Sequence, residues 1–151
     1  MTEVRTCLWF DDNAEAAVTL YTRLVPNSRI ERIDRRAPDA PATLIFFTLG
    51  GTPYSALQAG PDQTHSPAAS IAVTLPQAEA DALYDALLKA GGSEVQCGWV
   101  TDPFGVSWQI IPEGFIDRLF GNGADTNTRA FDAMIQMKRL DLAALDAAIA
   151  A

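Results

Sequence analysis

The side chains able to run proton-transfer, thiol or metal chemistry are few and scattered in this chain: one histidine, two cysteines and short acidic pairs. Any imidazole acid–base mechanism must use His65, which sits in a polar connector and reads as an exposed loop residue. A cysteine nucleophile needs a base or a positive neighbour, and around Cys97 the sequence offers only Glu94 and Asp102. Cys97 therefore reads as structural, and Cys7, on an apolar strand, as core. Asp11-Asp12 could hold a cation, but the pair stands where a following helix needs its caps. Arg32, Arg35 and Arg36 with Asp34 form a mixed cluster of the kind edge strands carry to discourage pairing with other chains. Trp9, Phe47, Tyr54, Trp99, Phe104 and Trp108 are strand or turn aromatics, residues that mostly fill cores.

The densest information lies in Gln96–Pro112. Asp102-Pro103 opens a tight turn because proline fixes its own φ and pushes Asp102 out of the helical region. Gly105 supplies the positive φ such a turn commonly needs. Val106 to Ile111 then alternates as a strand, which separates Ser107, Gln109 and Ile111 from Trp108 and Ile110. Only one of these sets can line a concave face.

The elements that must position these residues follow from periodicity. Strands are expected over Thr6–Phe10, Arg29–Arg35, Leu44–Leu49 and Tyr54–Leu57, with a helix from Ala14 to Val25 and a Gly50-Gly51 turn. Ala59–Pro67 is a Gly/Pro-bearing connector. The plan then restarts: a strand over Ser70–Leu75, a helix from Gln77 to Ala90 opened by Pro76 and closed by Gly91-Gly92, then strands over Val95–Thr101 and Val106–Ile111. An offset of about 63 residues superposes the two helices, a repeat in element order more than in residues. Two helices are expected after Pro112, over Phe115–Phe120 and Arg129–Ala151.

A chain of 151 residues with 48% hydrophobic and 20% charged content is an ordinary globular protein. Its net charge of −8 argues against nucleic acid or an anionic membrane as partner. No secretory segment is read at the start, where Glu3, Arg5, Asp11 and Asp12 bracket the early apolar run, and no stretch is long enough to span a membrane. Two cysteines make no disulfide scaffold, so a cytoplasmic location is expected.

Phe10–Ala17 before Tyr21, the Pro26–Ile30 exit, and Cys97-Gly98-Trp99 through Gln109-Ile110-Ile111-Pro112 resemble the PhnB-like branch of the vicinal-oxygen-chelate (glyoxalase/bleomycin-resistance/dioxygenase) superfamily. Its members are often labelled 3-demethylubiquinone 3-methyltransferase-like. The resemblance implies an α+β fold in which two βαβββ modules form a half-open sheet cup, about 4–58 and about 69–112. A helical extension of about 113–151 completes a single 1–151 domain in a homodimer.

In metal-using relatives, a His or Gln on each module's first strand and a Glu on its last converge on one divalent ion. Mapped onto this chain, those positions become Thr6, Ser55, Ser70 and Gln109, with Gln109 in the usual Glu place of the Asp-Pro-x-Gly motif. All four are neutral, so a degenerate site without metal or other cofactor is expected. The family's cavity-facing set contains position 109, which nominates Gln109, Ser107 and Trp99 as ligand-binding residues. The functional expectation is a protein that binds a small apolar molecule; a metal-dependent lyase, isomerase or dioxygenase is the alternative. Methyl transfer is not expected, because the glycines form a hairpin turn and a helix end, with no Gly-rich strand-to-helix turn for S-adenosylmethionine.

Overall fold

A computed structural model describes all 151 residues, which divide into two compact units, Met1–His65 and Ser66–Ala151. The first unit runs β1 (Thr6–Phe10), α1 (Ala14–Leu24), β2 (Arg29–Arg35), β3 (Ala42–Leu49) and β4 (Thr52–Gln58). Its sheet order is β1-β4-β3-β2, with β1 parallel to β4 and the other pairs antiparallel. Leu8 and Ile45 both oppose Ala56, so all three share one face, and that face is buried beneath Ala17, Val18 and Tyr21 of α1.

Alternation then sends Cys7 and Trp9 to the opposite face, with Ser55 and Phe46. Cys7 is accordingly exposed, which corrects its reading as core. The acidic pair does not cap α1 either. Asn13 occupies the cap position without a side-chain bond, and the Ala14 amide donates instead to Gln58 Oε1 at 3.1 Å, from the end of β4. The edge strand β2 carries the expected charges, and Arg35 is paired with Glu15 at 2.7 Å.

The second unit repeats the plan with β5 (Ser70–Leu75), α2 (Gln77–Lys89), β6 (Ser93–Glu94), β7 (Trp99–Thr101) and β8 (Ser107–Pro112), in sheet order β5-β8-β7-β6. Ile71 and Val100 both oppose Trp108, and this triplet forms the buried face with Ala80, Leu83, Tyr84 and Leu87 of α2. The β7–β8 turn is organised by one buried carboxylate: Asp102 accepts from the Phe104 amide at 2.8 Å, the Val106 amide at 3.0 Å and Trp108 Nε1 at 2.9 Å. Gly105 takes φ 88°, the conformation the turn requires.

Two expected elements are interrupted. The strand over Val95–Thr101 forms only from Trp99, because Cys97 and Gly98 adopt φ of 60° and 80°. Their amides turn away from the sheet and donate to Met137 O at 2.8 Å and Lys138 O at 2.6 Å. The helix over Arg129–Ala151 is split correspondingly. After α3 (Phe115–Phe120), α4 (Ala124–Met134) ends before a strap, 135–141, and α5 (Leu142–Ala150) begins at the Asp141 cap, whose carboxylate accepts from Ala144 N. Phe115, Leu119, Ala130, Leu140 and Leu145 bury one another as a core of their own. No helix is long and apolar enough to cross a membrane.

Candidate functional site

On the face of the second sheet opposite α2, register brings Ser70 beside Ser107 and sets Trp99 opposite Gln109. A cavity of about 280 Å³ opens there. Its walls are Trp99 and Thr101 of β7, Ser107 of β8, and Val95, Gln96 and Cys97 of the interrupted segment. The lining is almost wholly apolar, with the hydroxyl of Ser107, a residue only 3% exposed, as a polar group. Such a cavity recognises shape and apolar area first, and one or two hydrogen-bonding groups second.

Of the three residues expected to bind ligand, Trp99 and Ser107 line this cavity. Gln109 stands next to Trp99 on the same face and spends its amide nitrogen on Ser70 Oγ at 2.8 Å. The four positions mapped from metal-using relatives are not all brought together. Ser70 and Gln109 meet directly, but in the first unit Thr6 pairs with Tyr54 while Cys7 pairs with Ser55. Thr6 and Ser55 therefore lie on opposite faces of their sheet, and Cys7 is the first-strand residue that shares the face of Ser55. A divalent cation does not fit this donor set. Hydroxyls and an amide carry no charge to balance a dication, and the Gln109 amide nitrogen faces Ser70 Oγ as a donor.

His65 is half-buried rather than exposed. Its Nε2 lies 2.6 Å from Trp9 O, and its ring packs on Phe10 at 5.6 Å, so the imidazole pins β1 to the connector. Cys97 Sγ lies 3.7 Å from Met134 O, with no base beside it. A larger cavity of about 490 Å³ in the first unit, bordered by Asp11, Arg36, Thr43, Leu57 and Gly60, is open and of mixed polar and apolar lining.

Sequence reasoning missed the support behind the second-unit cavity. Glu94 at the end of β6 accepts from the Tyr84 hydroxyl at 2.6 Å, with Lys138 Nζ 3.4 Å away. Burial first, then this hydrogen bond, pushes the Tyr84 phenol up, and the same bond holds the Glu94 carboxyl below its ordinary value. The strap supplies the rest, and the one local signal for it was Asp141, a good cap residue inside an apparently continuous helix.

Comparison with known proteins places this geometry. The model of the 3-demethylubiquinone-9 3-methyltransferase family matches residues 2–111. The PhnB protein of Bacillus cereus is 27% identical, aligns over 74% of this chain and 99% of its own, and superposes with a TM-score of 0.67. A Pseudomonas aeruginosa protein is 22% identical over 75% of this chain and 98% of its own, at a TM-score of 0.62. The fosfomycin resistance protein FosX of Listeria monocytogenes shares the fold at 13% identity, over 78% of this chain and 96% of its own, with a TM-score of 0.58. No curated protein matches.

Proposed function

Because this chain belongs to the 3-demethylubiquinone-9 3-methyltransferase family, in the PhnB-like branch of the vicinal-oxygen-chelate superfamily, we propose that it binds a small apolar molecule in the cavity walled by Trp99 and Ser107. The observation that carries this reading is the cavity's composition: an aromatic wall, aliphatic neighbours and neutral hydrogen-bonding groups. Gln109 belongs to the same site as a second polar contact, its amide oxygen remaining an acceptor while its nitrogen holds Ser70. The metal positions are degenerate, since hydroxyls and one amide compensate no dication.

The family's name does not transfer to the chemistry proposed here. Each module enters its helix through Asp11-Asp12-Asn13 or Pro76, and neither passage offers the glycine-rich cradle that a dinucleotide-type or S-adenosylmethionine site requires. We also propose a cytoplasmic homodimer, supported by two free cysteines and by the exposed apolar side chains Ile116, Phe120 and Ile135 on the carboxy-terminal segments.

The test is titration with N-phenyl-1-naphthylamine, a neutral probe that brightens in apolar surroundings. One saturable site per chain is expected, weakened about tenfold or more in Trp99→Ala, the loss expected when one aromatic wall is removed. Absence of saturable binding, or an unchanged affinity in Trp99→Ala, would sink the proposal.

A further inference from the structure

The backbone that walls the cavity is held from behind by the strap. Gln96 Nε2 donates to Ile135 O at 3.1 Å, and the Cys97 and Gly98 amides donate to Met137 O and Lys138 O at 2.8 and 2.6 Å. The strap is anchored in turn to α2: Gln77 Nε2 donates to Leu140 O at 3.1 Å, and Gln77 Oε1 accepts from the Leu142 amide at 3.0 Å. Leu140, 4% exposed, lies so close to Gly98 that a Cβ there would stand 2.7 Å from Leu140 Cγ. All of these strap residues lie beyond residues 2–111, which the family model matches.

We infer that the strap is a clasp that sets the ligand affinity of the cavity, with Gln77 and Leu140 as positioning residues for the site. The inference rests on the proposed ligand site and adds its control. Cys97 and Gly98, at φ 60° and 80°, are the central residues of the tight turn that joins β6 to β7, closed by Trp99 N donating to Gln96 O at 3.2 Å and Val95 N to Trp99 O at 2.9 Å. The outward amides of this turn bond to the strap, which fixes where the hairpin tip stands. Once the strap is released, Cys97 and Gly98 need new partners, their amides turn to water, and the tip is free to swing. That movement carries Val95, Gln96 and Cys97 out of the positions that form the cavity wall. Coupling of this kind is reciprocal: a ligand that needs the wall in place must tighten the clasp by the same factor.

The experiment uses the full chain and two readouts, N-phenyl-1-naphthylamine affinity and amide hydrogen exchange. Gln77→Ala and Leu140→Ala are expected to weaken the probe about fivefold or more, the lower end of ordinary coupling energies. Leu140→Met, which refills the contact with Gly98, should restore affinity to within about twofold. In the wild-type chain, saturating probe should slow exchange at Cys97, Gly98 and α5 together. If the variants stay folded and exchange faster at Cys97 and Gly98 but bind the probe unchanged, the strap is packing alone and the inference is overturned. Should the variants fail to fold, the wild-type chain decides: slower exchange with probe supports the clasp, and unchanged exchange overturns it. A wild-type chain that binds no probe removes the ligand site and the clasp together, whereas the other failures leave the ligand site standing.

Discussion

The two modules share one topology and differ in how far their outer strands pair. In the first, β2 and β3 are hydrogen-bonded from Arg29↔Thr48 to Arg35↔Ala42. In the second, the equivalent β6 and β7 pair at Ser93↔Thr101 and Glu94↔Val100 and close at once in a tight turn, Val95 N donating to Trp99 O at 2.9 Å and Trp99 N to Gln96 O at 3.2 Å. The first ladder satisfies its backbone groups locally and leaves a continuous sheet. The second is a short hairpin whose tip hands the amides of Cys97 and Gly98 to a distant segment, and the cavity is walled by that hairpin. An apolar pocket can thus be walled by a shortened outer hairpin, provided the amides at its tip find acceptors elsewhere.

The hairpin turns give the strongest way to break the comparison. In the second module the turn depends on Asp102, buried and accepting three bonds; in the first, the exposed Gly50 amide donates to Ser28 Oγ at 3.0 Å. Asp102→Ala should cost about 3 kcal/mol or more and lower Tm by roughly 10 °C. Ser28→Ala should cost about 1 kcal/mol or less, both read from thermal melts by circular dichroism. Equal effects would mean the modules are held in the same way.

A pair of glycines sharpens the same contrast. Gly50 and Gly98 both have positive φ, but a Cβ meets nothing within 4 Å at Gly50 and strikes Leu140 at Gly98. Gly50→Ala should therefore cost about 1–2 kcal/mol from backbone strain alone. Gly98→Ala should cost about 1–3 kcal/mol more from overpacking, a gap measurable by urea denaturation.

Two smaller effects concern charge. The hydrogen bond from Tyr84 lowers the folded-state pKa of Glu94 below the ordinary carboxylate value of 4.5. Its stabilising contribution is therefore complete above about pH 4.5 and is lost as pH falls through the lower folded value. Glu94→Gln should flatten that part of the acid limb of a stability–pH curve, and an unaltered limb would show that the bond carries nothing. Last and smallest, EDTA should leave Tm unchanged, and Gln109→Glu alone should not retain Zn²⁺ or Mn²⁺ after gel filtration. Stoichiometric metal in the purified protein, with Tm falling by several degrees on chelation, would restore the enzyme reading.

Much of the fold was legible because period-two and helical spacing are local: Thr6–Phe10, Arg29–Arg35 and Ser70–Leu75 form as strands over the expected residues. Alternation separated Ser107 and Gln109 from Trp108 and Ile110, but which set turns away from the core was implied only by the family resemblance. Trp108 and Ile110 are the pair buried on α2's side of the sheet. The first strand could not be phased in the same way. A slip of one residue exchanges Thr6 for Cys7, and only the pairing with Tyr54 and Ser55 decides between them. Nor could the break at 135–141 be seen, since no glycine or proline marks it. The helix ends because carbonyls of Ile135, Met137, Lys138 and Leu140 bond to residues about 40 to 60 positions away.

The strap is recognised through main-chain oxygens, and this bears on how the chain can change. At Met137 and Lys138 the loop reads carbonyl positions rather than side chains, so most replacements there should leave the contact in place. Insertions and deletions are different. One residue gained or lost between Ile135 and Leu140 would displace every acceptor relative to Gln77, Gln96, Cys97 and Gly98. Descendants of this sequence should drift at Met137 and Lys138 while holding Leu140, Asp141 and the length of the strap fixed.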